Sequence, residues 1–167
     1  YTDQVEPFSV DESWLDVTAS RKLFGTGKQI ADEIRKRVRE KYSLTLSAGV
    51  SFNKIFAKMG SEYKKPDATI LITRENYRSL LWPMDIGELF FVGAATADKL
   101  RKCGITTIGG LANADRSMVC DLLGRHGGDI HDYANGLDNT PVLRFDRRAK
   151  AKSIGHNVTF SRDLQGQ

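Results

Sequence analysis

Over the first seventy residues, apolar and polar positions alternate in short stretches. Glu6-Pro-Phe-Ser-Val10 has strand character, and so does Ser13-Trp-Leu-Asp-Val-Thr18, with the acidic pair Asp11-Glu12 between them. The two predict a hairpin or a bent strand pair. Gly25-Thr-Gly27 then opens a helix in which Ile30, Ile34 and Val38 recur at every fourth position, while Lys28, Asp32, Glu33, Arg35, Lys36, Arg37 and Arg39 cover its other faces. Leu44 to Val50 is apolar and β-branched, as a strand requires. Ser51 and Asn53 are suitable caps for the next helix, with Ile55, Phe56 and Met59 as its buried side. Lys64-Lys65-Pro66 ends that helix, because the residue before a proline is driven away from helical angles. Ala68 to Ile72 reads as a further strand. The order ββ-α-β-α-β predicts a sandwich of ferredoxin-like type, an antiparallel or mixed sheet with helices on one face.

The pattern changes after Ile72. From Thr73 to Asn139 strand signal fades and glycines and a proline divide the chain into four or five short helical segments, expected to form a small separate helical domain. The fold class is therefore α+β: 1–72 a sheet-and-helix unit, 73–139 helical, 140–151 a basic linker, and 152–167 the first strand of a further domain. No internal repeat or low-complexity segment is evident.

Composition narrows the function classes. The chain has 167 residues, 40% hydrophobic, enough for a packed core, and no apolar run approaches the length of a membrane helix. It starts at Tyr1 inside a folded-looking stretch with no leader, which points to a fragment of a cytoplasmic protein. The net charge of +4 is compatible with nucleic acid as a partner, and its distribution says more. Arg144, Arg147, Arg148, Lys150 and Lys152 stand against the single acid Asp146, as in a strand running along phosphates or in a solvated linker. Cys103 and Cys120 are far apart and are expected as two buried free thiols. With His126, His131 and His156 they form no zinc pattern.

Three motifs carry candidate chemistry. Asp11 and Glu12, flanked by apolar strand residues, supply the hard oxygen ligands that magnesium prefers, provided the backbone bends so that neighbouring side chains converge; a solvated turn is the plainer reading. Lys65, held by Pro66 at a helix exit, can reach a phosphate as a point charge or simply face solvent. Gly93-Ala94-Ala95-Thr96, with Lys99 one turn on, has the form of a glycine before a helix whose free amides face an anion, the logic of a helix-hairpin-helix element. Each is weak alone.

Together, and in order, these segments resemble the Y-family (translesion) DNA polymerases of bacterial polymerase IV type. The resemblance rests on Phe8-Ser9-Val10-Asp11-Glu12-Ser13-Trp14-Leu15-Asp16, on Gly49-Val50-Ser51-Phe52-Asn53-Lys54-Ile55-Phe56-Ala57-Lys58 followed by Lys65-Pro66, on Phe91 to Leu111, and on Lys152-Ser153-Ile154-Gly155-His156 with Thr159-Phe160. It implies a partial catalytic palm in 1–72, a thumb in 73–139 and the start of a little-finger domain after the linker. It further implies that Asp11 and Glu12 are two of three carboxylates holding two Mg2+ ions, and that Lys65 contacts the incoming deoxynucleotide triphosphate. Gly93, Ala94, Ala95, Thr96, Lys99, Arg147, Arg148, Lys150 and Lys152 would contact primer-template DNA. Ser9, Asn53 and Asp16 would be structural supports. A sliding clamp would bind through a C-terminal segment missing here. Phe8 stands where the family has tyrosine, and Phe91 and Ala94-Ala95 replace parts of its Gly-Ile-Gly hairpin.

The implied activity is template-directed nucleotide addition past damage, with this fragment alone catalytically incomplete. A non-catalytic DNA-binding module built on the helical part is the alternative. A nucleotidyl cyclase is the remote one: Gly127-Gly128-Asp129-Ile130 is superficially like a cyclase turn, but reads as a loop entering a helix.

Overall fold

The computed structural model describes residues 1–147, 155–158 and 160. The predicted hairpin forms, with shorter strands: β1 (Val5–Pro7) pairs antiparallel with β2 (Ser13–Leu15), setting Glu6 opposite Trp14. A 3-10 turn (Thr18–Ser20) and a one-turn helix α1 (Arg21–Phe24) follow, neither of them expected from the residue pattern. Helix α2 (Gly27–Tyr42) begins at a full capping box. Thr26 accepts from the Gln29 amide and the Gln29 side chain accepts from the Thr26 amide, so two otherwise unpaired donors are satisfied. Of its apolar stripe Ile30 is fully buried, while Ile34 and Val38 are half-buried.

β3 (Ala48–Val50) and β4 (Thr69–Leu71) are parallel neighbours joined through α3 (Lys54–Tyr63). Asn53 is the cap, its side-chain oxygen accepting from the Phe56 amide at 2.8 Å; the other expected cap, Ser51, has a buried hydroxyl without a partner. Two expectations are corrected here. Among the described residues the strands form two separate two-stranded sheets, not one. Nor do both helices share a face. A side chain at Gly49 would collide with the Ala57 carbonyl of α3, whereas Val50 meets Gly27 of α2, and Arg35 of α2 donates to Thr69. Successive strand residues point to opposite sides, so α3 and α2 pack on opposite sides of the parallel pair, which stays half-buried, with Leu71 exposed.

The helical part has five α-helices among the described residues: α4 (Tyr77–Leu81), α5 (Ala94–Lys102), α6 (Ile108–Ala112), α7 (Arg116–Leu123) and α8 (Arg125–Ala134). A 3-10 turn (Ile86–Glu88) precedes α5. Gly127 and Gly128 lie buried inside α8 and not in a loop before it. A side chain at Gly127 would strike the Val119 carbonyl, so glycine there lets α7 and α8 approach closely.

One buried cluster runs across position 72. Ile55, Phe56 and Met59 of α3 join Ile72, Tyr77, Leu81, Ile86, Leu100, Ile108, Leu111, Val119 and Ile130. At its centre Phe56 stacks on Tyr77, ring centroids 5.3 Å apart, with Phe52 edge-on to Phe56 at 5.6 Å. Burial of a side chain of this size stabilises by about 3 kcal/mol. Asn53 adds a polar tie, donating to the Gly136 carbonyl at 3.2 Å, and Trp82 donates to Ala134 at 3.1 Å. Of the two cysteines, expected as buried free thiols, Cys103 is exposed because it caps the C-terminus of α5, and Cys120 is half-buried; both are free.

Candidate functional site

Asp11 and Glu12 lie in the five-residue connection between β1 and β2. The Glu12 carbonyl accepts from the amides of Phe8 (2.9 Å) and Ser9 (3.3 Å), which folds the loop back on itself at positions 9–11. The backbone therefore bends between the two strands, next to Asp11 and Glu12. Asp11 is exposed, and its Oδ1 accepts from the Ser9 hydroxyl at 3.0 Å. Asp16 accepts from the Thr18 amide at 2.9 Å. Ser9 and Asp16 thus make local hydrogen bonds, whereas Asn53 both caps α3 and reaches Gly136. Phe8 packs on Trp14 (4.8 Å) and Phe90 (5.5 Å), and so closes the loop by aromatic contact.

Glu12 starts a run of charges along α3. Lys58 Nζ lies 2.6 Å from Glu12 Oε1 and 2.8 Å from Glu62 Oε1, and Lys65 Nζ lies 2.7 Å from Glu62 Oε2. Burial pulls the Lys58 pKa down, but the hydrogen bonds to Glu12 and Glu62 outweigh it, and the value stands above the ordinary lysine range. The Glu62 carboxyl is held below its ordinary value by its hydrogen bonds to Lys58 and Lys65. Lys65 is half exposed at the helix exit, able to exchange Glu62 for another anion. Beside Lys58 and Glu62 opens a groove of about 380 Å3 between α3 and the 84–92 segment, with Phe90 and Phe91 on its far wall.

Sequence reading missed the roles of Lys58 and Glu62. Their i, i+4 spacing was visible, but the long-range partner Glu12 was not. One turn earlier, Lys54 is held in the same way. Its Nζ lies 2.7 Å from Glu6 Oε1 and 4.5 Å over the Trp14 ring.

The start of α5 is a second candidate surface. Gly93, Ala94, Ala95 and Lys99 are exposed and Thr96 is half-buried. The Gly93 carbonyl accepts from the amides of Thr96 and Ala97; the Ala94 and Ala95 amides have no acceptor among the described residues. Space in front of Gly93 is open, and its φ of −79° is one that any residue adopts. The left-handed residue is Phe91, with φ of 73°, two positions earlier. Phe91 is half exposed, against Phe90 (4.2 Å) and Tyr133 (5.9 Å).

The basic linker is described as far as Arg147; Arg148, Lys150 and Lys152 lie outside the described residues, as does most of the expected strand in 152–167. Of the two readings of the basic stretch, strand or linker, residues 140–147 form no strand. Arg144 is engaged by Asp3 at 2.9 Å and Asp146 at 3.3 Å, and the Leu143 amide donates to Glu6 at 2.7 Å, so side-chain ties to β1 and the N-terminal segment replace strand pairing. Arg147 is exposed.

Asp11 Oδ2 and Glu12 Oε2 have no protein partner among the described residues. Carboxylate oxygens are the hard donors that a divalent cation such as magnesium takes. No group of three or more His, Cys, Asp or Glu residues suited to a metal occurs among the described residues. No helix among them is long and apolar enough to cross a membrane.

Residues 1–62 match the impB/mucB/samB family. DNA polymerase IV of Acetivibrio thermocellus is 44% identical over 164 residues, 98% of this chain and 41% of the relative; that of Clostridium kluyveri is 39% identical over the same shares. A Y-family DNA polymerase chimera of Dbh and Dpo4 superposes with a TM-score of 0.77 at 27% identity, over 87% of this chain and 43% of the chimera. DinB from Sulfolobus solfataricus gives 0.73 at 26% identity, over 84% of this chain and 42% of its own. The chain thus spans about two-fifths of the length of the relatives it matches.

Proposed function

We propose that this chain, which belongs to the Y family of DNA polymerases, is the palm–thumb portion of a cytoplasmic translesion polymerase. Residues 1–72 are the C-terminal part of the palm and 73–139 the thumb, in which the 86–88 turn, the 89–93 connection and α5 form a helix-hairpin-helix-like element. Residues 140–151 are the linker and 152–167 the start of the little finger. The observation that carries this reading is the run of ion pairs from Glu12 through Lys58 and Glu62 to Lys65. It joins Glu12, one of the two carboxylates suited to a metal, to a cation suited to a triphosphate.

In the whole protein the primer 3′-hydroxyl attacks the α-phosphorus of a deoxynucleotide triphosphate and pyrophosphate leaves. Asp11 and Glu12 are the residues that would hold the two Mg2+ ions. Bound there, the ions supply charge neutralisation for phosphoryl transfer. Lys65 binds the triphosphate, giving up Glu62 for it. The Ala94 and Ala95 amides, together with Lys99, hold DNA by its backbone without reading bases. For the 167-residue chain taken alone, the DNA-binding role is the one that remains, since no third carboxylate joins Asp11 and Glu12 among the described residues.

Primer extension by the full-length protein tests the reading. Wild-type protein extends a primed template with Mg2+, and Asp11→Ala lowers the rate by at least about a thousand-fold, the equivalent of several kcal/mol, with DNA affinity nearly unchanged. The 167-residue chain alone extends nothing. Retained extension by Asp11→Ala refutes the assignment.

A further inference from the structure

Lys54, Lys58 and Glu62 recur at every fourth residue of α3, so they form one stripe. The stripe faces the β1–β2 hairpin: Lys54 grips Glu6 on β1, and Lys58 grips Glu12 in the loop. Trp14 of β2 donates to the Lys54 carbonyl at 3.0 Å, which fixes how far along the hairpin the stripe lies.

The Lys58 side chain is only 15% exposed, yet nothing in the chemistry above uses its charge directly. A glutamate has three side-chain torsions, and a carboxylate that must present one oxygen to a cation loses that freedom at a cost. The loop backbone is held by the Phe8 and Ser9 amides, but those bonds leave the Glu12 side chain free to turn. Lys58 engages Oε1 alone, and Glu62 anchors Lys58 from one turn away on a rigid helix. The other oxygen of Glu12 stays available.

We propose that Lys58 is a positioning residue that orients Glu12 to present Oε2 to the metal, with Glu62 as its anchor. The inference rests on the polymerase reading above. Its logic is that of an outer partner fixing a ligand, where loss typically weakens metal binding about 10- to 100-fold.

The test uses the full-length protein with Lys58→Met, Lys58→Arg and Glu62→Gln. Mn2+ binding to the protein–DNA complex is followed by electron paramagnetic resonance, alongside half-saturating Mg2+, kcat, KM for nucleotide, DNA affinity and melting temperature. Lys58→Met weakens Mn2+ binding and raises half-saturating Mg2+ by about 10- to 100-fold, kcat falls, and DNA affinity holds. Lys58→Arg recovers most of the loss, and Glu62→Gln falls between. Should Lys58→Met not fold, Glu62→Gln still loosens Lys58 and weakens Mn2+ binding; unchanged binding there overturns the inference. Lost activity with unchanged Mn2+ affinity overturns it, and so does a loss that tracks DNA affinity. Tighter Mn2+ binding makes Lys58 a competitor for Glu12, which also overturns it. A wild-type protein that extends no primer fails the polymerase reading itself and takes this inference with it, whereas an active wild type with an unaltered Lys58→Met sinks only the inference.

Discussion

Trp14 and Lys54 meet twice. The indole Nε1 donates to the Lys54 carbonyl at 3.0 Å, and the Lys54 ammonium returns over the same ring at 4.5 Å. The pair joins the second strand of the hairpin to the first turn of α3, and through it the carboxylate loop to the helix that ends near Lys65.

Trp14→Phe removes the indole donor and weakens the cation–π contact. Unfolding in urea should show a loss of about 1–2 kcal/mol. A change within a few tenths of a kcal/mol would mean the junction is held elsewhere.

Glu6 is the acid-sensitive member of the same junction. Burial disfavours its charged form, but hydrogen bonds from Lys54 and the Leu143 amide prevail, and its pKa lies below the ordinary 4.5. A depressed folded-state pKa means that its contribution is fully present above about pH 4.5 and is lost as pH falls from there through the folded value. Glu6→Gln should lower stability at neutral pH by about 1–3 kcal/mol and flatten the acid limb below about pH 4.5, as read by denaturant melts across pH.

Phe91 holds a backbone angle that glycine adopts freely. Phe91→Ala and Phe91→Gly lose the same contacts with Phe90 and Tyr133 and differ mainly in that angle. The glycine variant should be the more stable of the two by about 1 kcal/mol, the reverse of the order expected at an ordinary helical position. Comparing their thermal unfolding decides it.

Lys99 is exposed in the last turn of α5, with no ion-pair partner among the described residues. If it meets a phosphate, DNA affinity of the full-length protein falls steeply with salt, and Lys99→Ala lowers the slope of log K against log salt by about 1. An unaltered slope removes Lys99 from the interface.

Much of the fold was legible in the chain. Thr26 and Asn53 cap where short-range chemistry says they must, Pro66 ends the segment after α3, and the spacing of Ile55, Phe56 and Met59 marks a face that is indeed buried. Such features depend on residues a turn or less apart. The acidic pair Asp11-Glu12 was readable as lying between two strands, because both flanks carry strand residues.

Other features required distance in sequence to become closeness in space. Local pattern contained nothing to place α2 and α3 on opposite sides of the strands, since both helices carry an apolar stripe and either side accepts one. Nothing local marked Phe91 as left-handed, because the angle follows from how the 86–88 turn meets α5. Nor could spacing match Glu12 with Lys58, 46 residues later, or Glu6 with Lys54. The residue types along the chain supplied the carboxylates and the cations; packing of α3 against the hairpin chose which of them touch.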